Sequence, residues 1–421
     1  MKNTGYRKMK KIHVKPYLLV ALGILCLFLI TCEEDPVSIY DPDETGKPQP
    51  VLTMVAPDSN FNADGLSFSG VGVVTITGQN FSEVPEMNIA FFDGIPGEVL
   101  SASETSLRVR LPDVQGDSVD VKVSVQGAFH FGEYDDYLKV VPAVEEIGGF
   151  DDLDQLYSIA CDTSETLWIA AFGVPTIQVL AVPPGGLKES KFSALTVSST
   201  ALKWGGQDRV YLSGGALVYP IDSKTGTYSF TDFMIFNTAD VAKDIDFVDS
   251  TLAFVGIKKA PGLGYVMNVD MQTGVIDTAA AYDSLEIDCI RVFDGDLYVS
   301  GYYRVDGESQ ASGIWKSRII GDSLGTRELV LDLNDYADYA NAKITALTFS
   351  ADGKMYLGLD AVHAILQYDH TLGLQPLYSP VLDPPTRDLT WGNGNHLYQL
   401  KTSRLIKIDM VEPGASYGGR Y

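Results

Sequence analysis

Basic residues are scarce in this 421-residue chain: 31 Lys and Arg stand against 55 Asp and Glu, a net charge of −24. Gripping nucleic-acid phosphate needs a basic face, so this balance argues against a nucleic-acid partner. The shortfall is sharper than the total suggests. Lys2, Arg7, Lys8, Lys10, Lys11 and Lys15 all precede residue 32 and no acid occurs before Glu33, so the rest of the chain carries −30. Such a charge favours solubility and leaves the fold open.

Cysteine is equally thin. Cys26, Cys32, Cys161 and Cys289 are too few in so long a chain for a disulfide framework. Cys161 and Cys289 lie in the apolar runs "SIACD" and "IDCIR" and read as small buried thiols. The five His (His13, His130, His363, His370 and His396) show no metal-ligand spacing such as H-E-x-x-H. No metal or other cofactor is expected, and no catalytic residue is assigned. The Ser-Gly stretch "VYLSGGA" is not G-x-S-x-G and reads as a strand end. An enzyme is therefore the less favoured reading.

The apolar run "YLLVALGILCLFLI", Tyr17 to Ile30, is 14 residues long and too short for an ordinary membrane-spanning helix. A basic stretch followed by a short apolar run reads as an export signal. Its end, Leu29-Ile30-Thr31-Cys32, resembles the lipobox of bacterial lipoproteins, which implies cleavage before Cys32 and lipid on that Cys. The acidic Glu33-Glu34-Asp35 that follows is similar to the export signal of surface lipoproteins in Bacteroidota. Residues 1–31 are thus expected to be a signal peptide. Residues 32–49, acidic and Pro-rich without periodicity, are expected to be a flexible tether.

From residue 50 to 142 the pattern is all β. Alternating or apolar runs such as "GVVTITGQNF", "TSLRVRLPD" and "SVDVKVSVQG" are separated by Gly, Pro, Asn and Asp. About 90 residues of this kind suit a β-sandwich. "VLTMVAPDSN", "VTITGQNF", "AFFDGIPGEVLSASETSLRVRLP" and "VDVKVSV" resemble an IPT/TIG immunoglobulin-like domain. The Gly78-Gln79-Asn80-Phe81 turn and the Leu111-Pro112 ending carry the likeness. The resemblance implies a spacer or association module.

Residues 143–421 repeat. "IDSKTG", "VDMQTG", "IIGDSLG" and "YDHTLG" end at Gly226, Gly274, Gly325 and Gly373, in steps of 48, 51 and 48. A fixed period of that size marks a repeat architecture. In phase with these turns run six copies of strand, short turn and strand, from "SIACDTSETLWIAA" (158–171) to "DLTWGNGNHLYQL" (388–400). Six such units over about 270 residues predict a β-propeller of four-stranded blades, with each Asp-to-Gly turn a hairpin between third and fourth strands. The last copy offers only three strands, so Val140 to Phe150 is expected to supply the fourth. The blade form L-x-F-x-x-D-G-x-L-Y-V with its D-x-x-T-G hairpin resembles NHL-type six-bladed propellers. The whole order, lipid anchor, IPT/TIG domain and NHL-like propeller, resembles envelope lipoproteins of Bacteroidota.

In a propeller the connections after the second and fourth strands open on one face. The long ones, Lys258–Gly264, Tyr302–Ser312 and Asn334–Asn341, gather there with the starts of the innermost strands. Tyr302, Tyr303, Tyr336 and Tyr339 are expected to offer exposed rings, with Arg304, Lys243, Asp244, Asp288, Arg387 and Asp388 as polar contacts. Aromatics beside carboxylates suit sugar rings. The sequence thus favours a lipid-anchored outer-membrane protein, facing outward, that binds a glycan or an envelope protein on this face. A metal-dependent propeller hydrolase or lactonase and a protein–protein platform are the alternatives.

Overall fold

The computed structural model describes residues 46–59, 61, 65–259, 263–305 and 308–420. The expected export signal, Cys32 and most of the expected tether lie outside the described residues. The architecture is all β: an immunoglobulin-like domain followed by a six-bladed propeller.

In the first domain, strict alternation decides which face is buried. Asn88–Phe92, Ser106–Arg110 and Val121–Val125 each alternate buried with half-buried residues, and Val73–Gln79 does so from Val74 to Gly78. Two four-stranded sheets and one of three strands enclose Ile76, Ala90, Phe92, Leu107, Val109, Val121 and Val123, none of them exposed. The Gly78-Gln79-Asn80-Phe81 turn has a steric origin. A Cβ on Gly78 would lie 1.9 Å from the Val51 carbonyl oxygen. Asn80 takes a positive φ of 66° and donates from Nδ2 to Gln49 O at 2.8 Å.

Each propeller blade is a four-stranded antiparallel sheet. The innermost strands are Leu156–Cys161, Ala201–Trp204, Val241–Phe247, Leu285–Phe293, Ile344–Phe349 and Asp388–Trp391, numbered here as blades 1 to 6. Each innermost strand touches the next around the ring, and blade 6 returns to blade 1. Both faces of the inner two strands are covered by neighbouring blades, so alternation disappears: Leu167–Ala171 and Met355–Leu359 are buried at every residue. The outermost strands, such as Ile276–Asp283, turn mostly outward.

Blade 6 is completed from the other end of the propeller segment, as its sequence requires. Val144–Ile147 pairs antiparallel with Leu405–Asp409, from Val144 opposite Ile408 to Ile147 opposite Leu405. Three of the four recurring turns form, those ending at Gly274 and Gly373 directly between third and fourth strands as expected, and that ending at Gly226 at the start of a longer connection from Leu217–Asp222 to Met234–Ile235. Asp222, Asp270 and Asp369 each accept from the backbone N–H groups two and three residues on. Gly226, Gly274 and Gly373 take φ of 70–75°. The fourth differs. Ile320 pairs with Ser323 around a Gly321-Asp322 corner, and Gly325 lies inside the following strand.

The two domains meet at the seam of blades 5 and 6. Phe68, Val71 and Ala143 pack with Val141, Val144, Tyr378 and Val411. A Cβ on Gly70, at φ +73°, would stand 2.9 Å from Val381 Cγ2.

Candidate functional site: the mouth of the propeller channel

The innermost strands begin on the face of the long connections and end on the face of the hairpins. Their starts share a device. In blades 1, 3, 4 and 5 a register shift near the first residues leaves one extra residue: Tyr157, Lys243, Asp288 and Thr345. In blade 6 the backbone N–H of Arg387 bonds the same carbonyl, Leu400 O, that faces Asp388 across the pair. A bulge re-aims a side chain. These positions therefore ring the mouth.

Over blades 3 to 5 the ring forms a cluster. Asp288 Oδ1 receives Lys343 Nζ at 2.9 Å and Lys243 Nζ at 3.3 Å. Lys343 Nζ also lies 5.6 Å from the centre of the half-buried Tyr302 ring. Beside them Lys258 pairs with the buried Glu286. Burial works to lower the Lys343 ammonium, but the Asp288 carboxylate, with Tyr302 and Asp360 nearby, outweighs it and holds Lys343 above the ordinary lysine value. Both lysines keep a solvent-facing part, 20% and 41% of the side chain. The cluster can donate to hydroxyl or anionic groups beside an aromatic ring. On blades 6 and 1, Arg387 lies 6.0 Å over the Tyr157 ring and donates from Nε to Thr402 Oγ1 at 3.3 Å.

Other expected site residues stand elsewhere. Asp244 and Asp388 occupy the position after the bulge, where the side chain points between blades. Asp244 Oδ2 accepts from Ile290 N at 3.0 Å, and Asp388 Oδ2 accepts from Ile159 N at 3.0 Å. Each ties its blade to the next and is buried. Burial pushes Asp244 up to about 6, against the pull of Lys203 and the Ile290 N–H. The four tyrosines divide between the two sides of blade 4. Tyr303 packs edge-on against Trp315, donates to Asp332 Oδ2 at 3.1 Å and accepts from Asn334 Nδ2 at 2.6 Å. Tyr336 packs against the core shared by blades 4 and 5, where Tyr339 is only 8% exposed and meets His363 Nδ1 at 2.9 Å. Tyr339 therefore offers no open ring: the short 3-10 turn Ala337–Tyr339 folds it inward. The Arg304 side chain lies outside the described residues.

Sequence reasoning missed Lys343, Lys258 and Glu286. The signal was present in Lys343. It precedes the blade 5 inner strand by one residue, and aligning the six strand starts puts it beside the ring. Among the described residues no group of three His, Cys, Asp or Glu stands where it could hold a metal ion. No described helix is long and apolar enough to cross a membrane.

The hairpin end of the channel is closed by the chain itself. The segment after Asp409 crosses it and touches every blade. Ala415 N donates to Phe349 O at 2.9 Å, and Arg291 lies 4.6 Å over the Tyr417 ring. Gly418 and Gly419 run so close to the carbonyls of Phe247 and Trp204 that a Cβ on either would lie 2.2 and 2.1 Å away. Arg420 donates to the carbonyls of Cys161, Gly392 and Trp391.

Residues 58–137 match the IPT/TIG domain family. No curated protein matches the chain. Among solved structures, a candidate phosphatase from Bacteroides thetaiotaomicron superposes with a TM-score of 0.51 at 10% identity, covering 89% of this chain and 99% of its own. A luciferin-regenerating enzyme gives 0.50 at 10% identity, over 66% and 99%. An auxiliary nutrient binding protein from Bacteroides thetaiotaomicron gives 0.48 at 12% identity, over 88% and 98%. At such identities the likeness is one of fold, shared by proteins of different activities.

Proposed function

We propose that this chain is a lipid-anchored binding protein of the bacterial outer membrane, facing outward. The mouth of its propeller takes a glycan or another envelope component, and the IPT/TIG domain acts as a spacer. One observation carries the binding face. The C-terminal segment closes the hairpin end of the channel, and Tyr302, Lys243, Lys343 and Asp288 converge at the other end. A sugar ring stacks on an aromatic face and bonds at its rim, and the cluster supplies both kinds of contact. Binding is favoured over metal-dependent hydrolysis because each acid near the channel mouth already holds a protein donor, although Oδ2 of Asp288 has no hydrogen-bond partner among the described residues. Asp244 and Asp388 hold backbone N–H groups, Asp288 holds two lysines and Glu286 holds Lys258.

A glycan-array screen of the 33–421 chain tests the ligand class. Retention of one glycan family, reduced by Tyr302→Ala, is the expected result; no retention on any glycan turns the reading toward an envelope protein. The anchor rests on Leu29-Ile30-Thr31-Cys32 and has its own test. Cys32→Ala should abolish palmitate labelling and move the protein from the membrane to the soluble fraction. Equal labelling of both forms would sink the lipobox reading.

A further inference from the structure

Behind the C-terminal segment the channel holds a cavity of about 20 Å³, whose lining includes Lys203, Trp204, Arg291, Trp391, Tyr417 and Arg420. That is room for one small species. Three of these residues are cationic, and among the described residues no carboxylate lines the cavity. The compensating acids stand behind the cations: Asp246 on Arg291 at 3.2 Å, and Asp244 3.6 Å from Lys203. Arg420 meets three carbonyls instead of a carboxylate.

Hydrogen bonding supplies an independent observation. Four of the same lining residues hold a buried donor with no acceptor among the described residues: Nε1 of Trp204, Nε1 of Trp391, Nε of Arg291 and Oη of Tyr417. Trp204, Trp391 and Arg291 are 4%, 4% and 7% exposed, so bulk water does not reach them. A buried donor left unmet is costly, and four on residues that line one cavity call for an acceptor. A water molecule accepts at most two of these bonds and brings two protons of its own toward the cations. A small anion accepts from every side and offsets the positive lining.

We propose that this cavity is a binding site for a monovalent inorganic anion of chloride size, held by Lys203, Arg291 and Tyr417 and enclosed by the C-terminal segment. The site is distinct from the mouth and independent of the ligand taken there. Because Tyr417 and Arg420 belong to the segment that closes the channel, anion binding and docking of that segment stabilise each other.

Thermal unfolding of the full chain in sodium chloride and in sodium gluconate, at equal ionic strength, tests this. Gluconate is too large for the cavity. Chloride is expected to raise the melting temperature by on the order of 2 °C with saturation, and bromide to act alike. Tyr417→Phe keeps the ring and removes the hydroxyl, and should raise the half-saturating chloride concentration several-fold. Crystals of the unmodified chain soaked in bromide should show anomalous scattering within hydrogen-bond reach of Tyr417 Oη and Arg291 Nε. Equal melting in the two salts, with no bromide signal in the cavity, overturns the proposal and leaves a water site.

Discussion

The two ends of the propeller channel are built from the same six strands and have opposite characters. At the hairpin end the innermost strands finish in Trp204, Phe247, Phe293, Phe349 and Trp391, and a segment of the same chain lies across them. At the mouth they start with Lys243, Asp288 and Arg387, re-aimed by bulges or by the entry to the strand. Large apolar rings exposed around a channel would invite association, so that end needs a cover, and the C-terminal segment provides one. Charged residues at the other end need none. What differs is the work left to each end: the covered end helps hold the ring together, and the polar end is the one proposed above to meet a ligand.

That comparison presupposes a closed ring, so the harshest test is to open it. Deleting Val144–Ile147 leaves blade 6 with three strands and the Leu405–Asp409 edge unpaired. Calorimetry of the full chain should then lose its single cooperative propeller transition. A shift of the midpoint by only a degree or two would mean that closure does not depend on this strand.

Next in size is the cover itself. Tyr417→Ala removes a ring packed beside Phe247 and beneath Arg291. Loss of a packed aromatic costs about 3–5 kcal/mol, and partial exposure puts this one at the low end, about 3 kcal/mol. Denaturant unfolding should show that loss while affinity at the mouth stays unchanged. Weakened binding would mean that the two ends are coupled rather than separate.

The mouth should give the reverse pattern. Tyr302→Ala is expected to cost about 1–3 kcal/mol of binding, roughly a 5- to 150-fold loss of affinity, with little change in melting temperature. Tyr339→Ala should lower stability and spare binding, because its ring is buried in the blade 4–5 core. If Tyr339→Ala loses affinity and Tyr302→Ala keeps it, the ligand sits at the junction of blades 4 and 5 and not over the channel.

Much of the fold was legible in the sequence, for a physical reason. Strand periodicity, Asp-to-Gly turns and a missing fourth strand are local patterns, and each copy of the blade restates them. The site was less legible because it depends on where a side chain points after a one-residue shift. Lys243 and Asp288 sit on the bulge and reach the mouth, whereas Asp244, one residue on, binds the backbone of the next blade. No local pattern marks the bulge; it follows from the pairing with the second strand. Tyr339 illustrates the same limit, since a short 3-10 turn decides whether a loop aromatic is exposed or buried. The C-terminal segment was legible only as an irregular tail. Its role comes from contacts with six strands that are distant in sequence.

The smallest expected effect concerns the hairpins on the covered face. The Asp270 carboxylate accepts from Gln272 N at 2.8 Å and Thr273 N at 2.9 Å, and Gly274 turns the corner at φ 74°. Those bonds to Thr273 and Gln272 hold its carboxyl below the ordinary value of 3.8. A depressed folded value means that its stabilising contribution is complete above the ordinary carboxylate range and is lost as pH falls through the depressed value. Asp270→Ala removes both bonds at an exposed turn, so at neutral pH its unfolding midpoint should fall by less than that of Tyr417→Ala. Affinity at the mouth should not move, because the turn lies at the opposite end of its blade. Asp270→Asn keeps an oxygen in place to accept from Thr273 and removes the charge, so it should retain more of the midpoint than Ala and show a flatter loss of stability on acidification. Urea titrations of the three forms at neutral pH and below about pH 3.8 separate the cases. An affinity loss in either variant would place the binding face at the hairpin end and invert the comparison between the two ends.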